Sequence, residues 1–360
     1  MKKIVALFVA FIIAIGFYSC TKSGLEDVGP TTVQEDKDFI TQTANNTILC
    51  IKGVDNGVFT QTLIKFLGAS GGNTLNTNWI DSMSNALDVA AGVIKLDTLT
   101  DRFNYNTYKG IYNWNRITRT FVKTASSTIE VNFPSEPTQV TNNMSFKFTT
   151  YTDGQYQINA LNKYLPVTAK ANLTKNGEEI ANIDFSGLYS SGSFPAPINV
   201  VLNVYLKPHN YKITVNRITN LQFGYKIELG GDCGSVAEGK VTFLNDDYNN
   251  LDIEQDLKSV DMTYTKAQLS IITNWNAQAY YAFLNPNTTN INSTFTSEVK
   301  REGLKIGDLK FVDAANGDRK VYIYYKDGTR DDIEVYANPL KGQLRDIFRP
   351  YFGNDVDNWF

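Results

Sequence analysis

The sequence contains one histidine, His209, and this residue limits the catalytic chemistry that the chain could carry. Triad catalysis needs a histidine base that contacts both a nucleophile and a third group that orients it. His209 lies between Pro208 and Asn210, two turn-forming residues, so we expect it on the surface at a hairpin tip. No spacing in the sequence places a nucleophile beside that tip. We therefore predict that the protein is not an enzyme and has no catalytic residue.

The chain has too few Cys and His side chains to bind zinc. A structural zinc site needs four Cys or His ligands and a catalytic one about three, but the chain beyond Cys20 has two cysteines and one histidine. Calcium prefers oxygen ligands, and one acidic run contains them: Asp246, Asp247, Asp252, Glu254 and Asp256. The run lacks the EF-hand spacing and its central glycine, which favours a solvated loop. We predict no metal and no cofactor.

The composition is that of an ordinary globular protein. Of its 360 residues, 42% are hydrophobic and 20% are charged, which is enough for one large domain or two modest ones. The 34 basic and 37 acidic side chains are spread along the chain. Because no basic surface is indicated, we predict no nucleic-acid partner.

Residues 1–19 have the layout of a secretory signal, with two lysines, an apolar run and a small residue, Ser19. Cys20 follows directly. This arrangement resembles the lipobox of bacterial lipoprotein precursors, whose cysteine is lipidated through a thioether and acylated after cleavage. The resemblance implies lipidation of Cys20 and a stable membrane anchor. Thr21, unlike the aspartate of the inner-membrane retention signal, implies the outer membrane, on either of its faces.

The two other cysteines, Cys50 and Cys233, leave two interpretations open. Cys50 lies in the apolar run Ile48–Ile51, which favours a buried free thiol. An exported location would also permit a disulfide between the two residues.

The chain after the signal is predicted to begin with a flexible tether at 20–37, followed by helices. Apolar residues three and four apart predict two helices between Phe39 and about Leu67. Asn78 is the expected N-cap of a third helix. The apolar stripe of that helix should pack on the inner face of a sheet and contains Trp79, Met83, Leu87, Ala90 and Ile94.

Alternation of apolar and polar residues predicts a large antiparallel meander from about 100 to 284. Its first strand is expected in the aromatic run from Asp101 to Trp114. Asn176-Gly177 predicts a two-residue hairpin turn, and Leu221–Leu229 predicts a strand with one buried face. The segment 269–284 fits a helix and a strand equally.

A polar segment at 285–296 predicts either a boundary between a domain at 38–284 and a smaller element at 297–360, or a long loop within one domain. The smaller element is expected to contain a helix that begins at Asn338-Pro339 and ends at Pro350. Before this helix we expect a meander of three strands, at 309–311, 321–325 and 333–335.

We therefore predict an α+β fold in which N-terminal helices cover one face of a large antiparallel sheet. Over residues 38–284 the layout resembles the half-barrel of the periplasmic lipoprotein carriers. The resemblance rests on layout alone and carries over no binding residues. It implies a non-catalytic, membrane-anchored protein of the cell envelope that binds an apolar or lipid-like ligand between helices and sheet.

Two other functions stay open. The chain has 20 tyrosines, 21 phenylalanines and 4 tryptophans, and an exposed row of them would bind glycan or protein as an adhesion module does. A pair of carboxylates about 5–10 Å apart would instead make a glycoside hydrolase, because folding and not sequence spacing brings such a pair together. A deep apolar pocket beneath the helix at 79–94 would favour the lipid-like ligand.

We expect Cys20→Ala to release the protein from the membrane fraction and to abolish its labelling with fatty acid, because the lipid is the attachment. Cell fractionation and acyl labelling measure the two effects. Thr21→Ala, which changes the next residue and keeps the thiol, is the control. Membrane retention of Cys20→Ala would contradict the anchor.

Overall fold

The computed structural model describes residues 31–66, 77–97, 100–158, 160–191, 194–230, 233–282, 290–313 and 319–352. The predicted signal, Cys20 and the tether as far as residue 30 lie outside the described residues. Residues 33–37, predicted as tether, belong to the first helix. Within the described part of the chain, no helix is long and apolar enough to cross a membrane.

Seven α-helices occur among the described residues. They are α1 (Val33–Asp55), α2 (Val58–Phe66), α3 (Thr77–Ala91), α4 (Tyr105–Tyr108), α5 (Ile253–Asp256), α6 (Ala277–Tyr281) and α7 (Glu334–Phe352). The two helices predicted between Phe39 and Leu67 are therefore present as α1 and α2.

One sheet contains sixteen strands. The first eight, β1 to β8, are Gly110–Asn115, Thr120–Thr124, Ile129–Phe133, Met144–Ile158, Leu161–Lys175, Glu178–Tyr189, Pro197–Leu206 and His209–Thr219. The others, β9 to β16, are Gln222–Leu229, Ser235–Phe243, Leu257–Lys266, Leu269–Trp275, Phe295–Arg301, Leu304–Asp313, Arg319–Tyr325 and Arg330–Asp332. From β4 onward each strand lies beside its neighbours in sequence, whereas β1 pairs antiparallel with β2 and parallel with β3. The predicted α+β fold, with N-terminal helices, a large antiparallel sheet and a C-terminal helix, is confirmed.

The chain divides into two compact units. The central unit contains Val54–Thr214 and the end of α7 from Phe348. The terminal unit contains the described residues up to Gly53 together with Val215–Ile347. The polar segment 285–296 lies within the terminal unit and not between the two units.

The core of the terminal unit lies between α1 and the strands from β12 to β15. Ile40 and Ala44, one helical turn apart on α1, are both buried in it. The strands contribute Leu269, Val299, Ile306, Leu309 and Ile323. At the start of α1, Asp36 is fully buried, accepts a hydrogen bond from the Thr31 hydroxyl at 2.6 Å, and has Lys326 Nζ at 3.5 Å. This charged contact fixes the N-terminal turn of the helix on its sheet.

The core of the central unit is aromatic and is covered by α3. Met83 is buried, and Trp79, Leu87 and Ala90 pack against the same cluster, as the predicted stripe requires. Ile94 lies beyond the end of the helix and is exposed. The predicted N-cap at 78 is the second residue of α3. The sheet side of the cluster contains Tyr112, Trp114, Phe121, Ile129 and Val131.

The prediction of a strand from Asp101 was wrong for Tyr105–Tyr108, which form the single-turn helix α4. A spacing of three residues suits one helical turn as well as it suits an irregular strand. The turn buries both tyrosines, and the Tyr105 hydroxyl donates to the carbonyl of Phe148 at 2.6 Å. Phe103 stacks on Tyr108 with ring centroids 5.4 Å apart. Burial of the Tyr105 and Tyr108 rings therefore stabilises the helical turn over a strand.

The predicted hairpin at Asn176-Gly177 is present in the expected register. Both turn residues have positive φ, 52° and 82°, and Ala171 is paired with Ile183 across β5 and β6. The strand predicted at Leu221–Leu229 is β9, but its one-sided burial is wrong. Its residues are half-buried on both faces, and only Gly224 is buried.

Two ambiguous C-terminal segments are resolved by local hydrogen bonds. Residues 269–284 contain both expected elements in turn, β12 and then α6, whose N-cap Asn276 accepts from the N–H of Ala279 at 3.0 Å. The residues predicted as a strand at 333–335 instead begin α7, because the Asp332 carboxylate accepts from the N–H of Glu334 at 3.0 Å. The helix continues through Pro339 and past Pro350 to Phe352, so both predicted ends were wrong.

Cys50 and Cys233 form a disulfide, which overturns the interpretation of Cys50 as a free thiol. Their Cα atoms lie 5.3 Å apart although 183 residues separate them in sequence. The apolar run around Cys50 is the α1 surface, and both sulfur-bearing residues are buried. Burial and pairing are compatible, so the apolar neighbours of Cys50 could not distinguish a thiol from a disulfide.

We expect the double variant Cys50→Ser/Cys233→Ser to lose about 2–5 kcal/mol of unfolding free energy, because the bond closes a very long loop of the unfolded chain. Denaturant unfolding measures the loss. Dithiothreitol should destabilise the wild type by a similar amount and leave the double variant unchanged. Equal stability of wild type and variant would contradict this role.

Candidate functional site

His209 is buried, with 3% of its surface exposed, which contradicts its predicted place on a hairpin tip. The turn is made by Lys207 and Pro208, so His209 is already the first residue of β8. Cys20, the predicted lipidation site, lies outside the described residues.

The acidic run at 246–256 is used for local structure. Asp252 caps α5 by accepting from the N–H of Glu254 at 3.0 Å, and Asp256 accepts from the N–H of Asp252 at 2.8 Å. Among the residues that the structure describes, no three His, Cys, Asp or Glu side chains are grouped as a metal site requires.

Ser70 stands in Gly68–Gly72, which matches the letters of the nucleophile-elbow motif G-x-S-x-G. The residues of this match lie outside the described ranges. The motif has chemical meaning only between a strand and a helix. Among the described residues, the element before it is the helix α2, which ends at Phe66, and the element after it is α3, so no described strand leads into the match.

A cluster of titratable side chains in the terminal unit is fully paired within itself. The hydroxyls of Tyr325 and Tyr336 lie 2.7 Å apart, and Tyr336 donates to Asp331 at 2.7 Å. Lys37 forms an ion pair with the same carboxylate at 2.9 Å. Burial raises the pKa of both tyrosines. This cluster joins α1 to the β15–β16 hairpin and the start of α7, which is a structural role.

Lys266, the last residue of β11, is completely buried. Burial lowers the pKa of its ammonium group to about 6. Sequence analysis missed this residue, since the sequence around it gave no sign of burial. A perturbed lysine of this kind marks either a functional group or a tolerated cost in stability, and the second is testable by unfolding.

The strongest site lies in the central unit, where β3, β4 and β5 run side by side. Val131, Phe146 and Leu173 are register partners across the three strands. Their neighbours Glu130, Lys147 and Asn172 form the adjacent row. Because side chains alternate along a strand, one face of this patch is apolar and the opposite face is polar.

Helix α2 lies over the apolar face and leaves an apolar groove of about 400 Å³. Four helix residues at helical spacing line it, together with Leu87 of α3. The full lining is Phe59, Thr62, Leu63, Phe66, Leu87, Val131, Phe133, Met144, Phe146 and Leu173. The groove was expected beneath α3, but α2 provides most of its cover.

One end of the groove is formed by aromatic contacts. Phe66 meets Phe133 edge to face with ring centroids 5.4 Å apart, and it contacts Trp79 at 6.2 Å. Leu63 and Phe146 keep 42% and 37% of their surfaces exposed. The groove therefore presents apolar surface that the protein itself does not cover.

Thr62 is the polar residue of the groove, and its hydroxyl already has two partners. The hydroxyl donates to the carbonyl of Val58 at 2.7 Å and accepts from Lys175 Nζ at 3.3 Å. Lys175 is the last residue of β5, two residues after Leu173 and on the same face. A lysine ammonium group therefore lies at the rim of the apolar groove.

The opposite face of the same strands carries a polar groove of about 560 Å³. Five of its eleven lining residues are asparagines: Asn132, Asn142, Asn143, Asn172 and Asn176. Glu130 accepts a hydrogen bond from Asn132 at 3.1 Å and pairs with Lys147 at 3.2 Å. This face can offer hydrogen bonds but little apolar contact.

Comparisons of the chain with protein families, with curated proteins and with solved structures give no match. The likeness to lipoprotein carriers therefore stays a resemblance of layout.

The elements that line the apolar groove could be recognised in the sequence, but their packing against each other could not. The stripe Phe59, Leu63 and Phe66 and the alternating strands around Phe146 and Leu173 were each recognisable. Their meeting depends on which helix lies over which strands, and no local pattern encodes that choice.

We expect Lys266→Met to stabilise the protein, and more at about pH 7 than at about pH 9. The unfolded lysine is protonated below about pH 10.4, whereas the folded one is neutral above about pH 6. Between these values the wild-type stability rises by about 1.4 kcal/mol per pH unit on account of this group, and the variant lacks that rise.

Denaturant unfolding of both proteins across this pH range measures the difference. Lys258→Met, on an exposed residue of the same strand, is the control and should leave the pH dependence unchanged. Parallel stability curves for wild type and Lys266→Met would refute the burial effect.

Proposed function

We propose that the protein is a non-catalytic outer-membrane lipoprotein, anchored through Cys20, that binds an apolar or lipid-like ligand in the apolar groove of the central unit. The observation that carries this proposal is the groove lining, in which the single polar group, the Thr62 hydroxyl, is already engaged. The volume of about 400 Å³ falls within the usual ~300–1,000 Å³ of small-molecule sites.

The exposed side chains of the groove supply a driving force for binding. Leu63 and Phe146 present apolar surface to water, and each methylene group that a ligand buries there contributes about 0.8 kcal/mol. The groove offers few hydrogen bonds, so a polar ligand would lose its water contacts without replacement. An alkyl chain matches the surface best.

The disulfide supports the exported location. Stable disulfides form in oxidising compartments such as the bacterial periplasm and the cell surface. The bond between Cys50 and Cys233 is therefore what an exported, lipid-anchored chain would be expected to hold.

A glycan-binding function is the second candidate, and the polar groove is the observation that favours it. Its amide side chains can donate to and accept from sugar hydroxyls. The expected exposed row of tyrosine and tryptophan is not found among the side chains whose burial the structure describes, where Phe146 is the one exposed aromatic residue. The carboxylate-only hydrolase stays a prediction.

Native mass spectrometry of the purified protein, followed by solvent extraction, tests the proposal. We expect an extractable lipid-like molecule that leaves the protein mass lower after its removal. The lipid attached to Cys20 survives solvent extraction because it is covalent, so the two signals are separable. Recovery of no molecule, together with no binding of an added apolar fluorescent probe, would overturn the proposal.

We expect Phe146→Lys to abolish binding of an apolar probe such as 1-aminoanthracene, because it places a charge in the groove. Phe146 is already partly exposed, so the fold should tolerate the change. Val122→Lys is the matched control, since Val122 is an exposed strand residue outside the groove. Fluorescence titration measures both, and equal probe affinity in the two variants would place binding elsewhere.

A further inference from the structure

We propose that the ligand of the apolar groove is a long-chain fatty acid and that Lys175 binds its carboxylate. This inference rests on the proposed function and names the class of ligand that the same groove takes. It follows from the position of Lys175, from its missing counter-charge and from the hydrogen-bonding state of Thr62.

The position of Lys175 places a cation where an alkyl chain in the groove would end. Lys175 is the register partner of Met144, which lines the groove. Its Nζ lies 3.3 Å from the Thr62 hydroxyl on α2. The side chain thus reaches from the sheet to the helix at one rim of the groove.

The ammonium group of Lys175 has no carboxylate within 4 Å among the residues that the structure describes. The glutamate opposite it, Glu178, is instead paired with Lys207. Three lysines on β4 and β5 have carboxylate partners: Lys147 with Glu130 at 3.2 Å, Lys163 with Asp101 at 2.7 Å and Lys170 with Asp184 at 2.7 Å. A bound anion would supply the counter-charge that Lys175 lacks.

The rim of the groove offers a ligand mainly hydrogen-bond donors, and these donors are on a cation. The Thr62 hydroxyl gives its proton to the carbonyl of Val58, so it can only accept from Lys175. Lysine has three donors and no acceptor, and two of its donors remain for a ligand. A carboxylate is an acceptor-only group that also brings a negative charge, whereas the hydroxyl of a fatty alcohol is neutral and leaves the Lys175 ammonium group without a counter-charge.

The test compares hexadecanoate with hexadecan-1-ol on the full-length protein at about pH 7, each competing with the fluorescent probe. The two ligands share one alkyl chain and differ in the head group. We expect hexadecanoate to bind about tenfold more tightly, the size of one charge-assisted hydrogen-bonded contact. Lys175→Met should remove this preference and leave the affinity for hexadecan-1-ol unchanged, and Lys175→Arg should retain it.

The control is Lys170→Met, which removes a lysine from the same strand outside the groove and should keep the preference. Equal affinity of the wild type for the two ligands would overturn the role of Lys175 while the groove function stands. If Lys175→Met still preferred hexadecanoate, the role of Lys175 would also be overturned and the groove function would stand. Failure of both ligands to displace the probe, or failure of the probe to bind, would overturn the proposed function itself.

Discussion

Hydrogen bonding between strands that are neighbours in sequence is the constraint on which this structure depends. From β4 to β15 each strand lies beside the one before it and the one after it, so short connections suffice. Such a sheet satisfies its own backbone groups, but it has two faces that need cover. The helices supply cover only where they pack: α1 and α7 in the terminal unit, and α2 to α4 in the central unit. Strands such as β9 stay half-exposed on both faces.

The candidate site follows from the same constraint. Three adjacent strands in register sort their side chains into an apolar row and a polar row, and the polar row needs no helix. On the apolar side, α2 has only nine residues and cannot cover the full width of the patch. Val131 and Met144 are buried, whereas Phe146 is not. The groove is the part of the apolar face that the short helix leaves open.

Local patterns predicted the features whose physics is local. The turn at Asn176-Gly177 was predictable because both residues tolerate positive φ, and the α3 stripe was predictable because its period matches a helix. The single turn at Tyr105–Tyr108, the burial of His209 and the course of α7 through Pro339 were not predictable, because distant packing decides them. The disulfide belongs with these features, since it joins two distant segments. The groove depends on both local patterns and distant packing. Its helix and strands could be recognised in the sequence, but their arrangement could not.

The disulfide also sets how the chain would carry a mechanical load. Residues 51–232, which include all of Val54–Thr214, lie inside the covalent loop that Cys50 and Cys233 close. If the protein is held at its N-terminus and pulled from its C-terminal segment, tension passes along the chain to Cys50 and crosses the sulfur bridge to Cys233. The backbone from Val54 to Thr214 lies on a slack branch of this covalent path. While the bridge is intact, the covalent path of tension therefore bypasses the strands that form the groove.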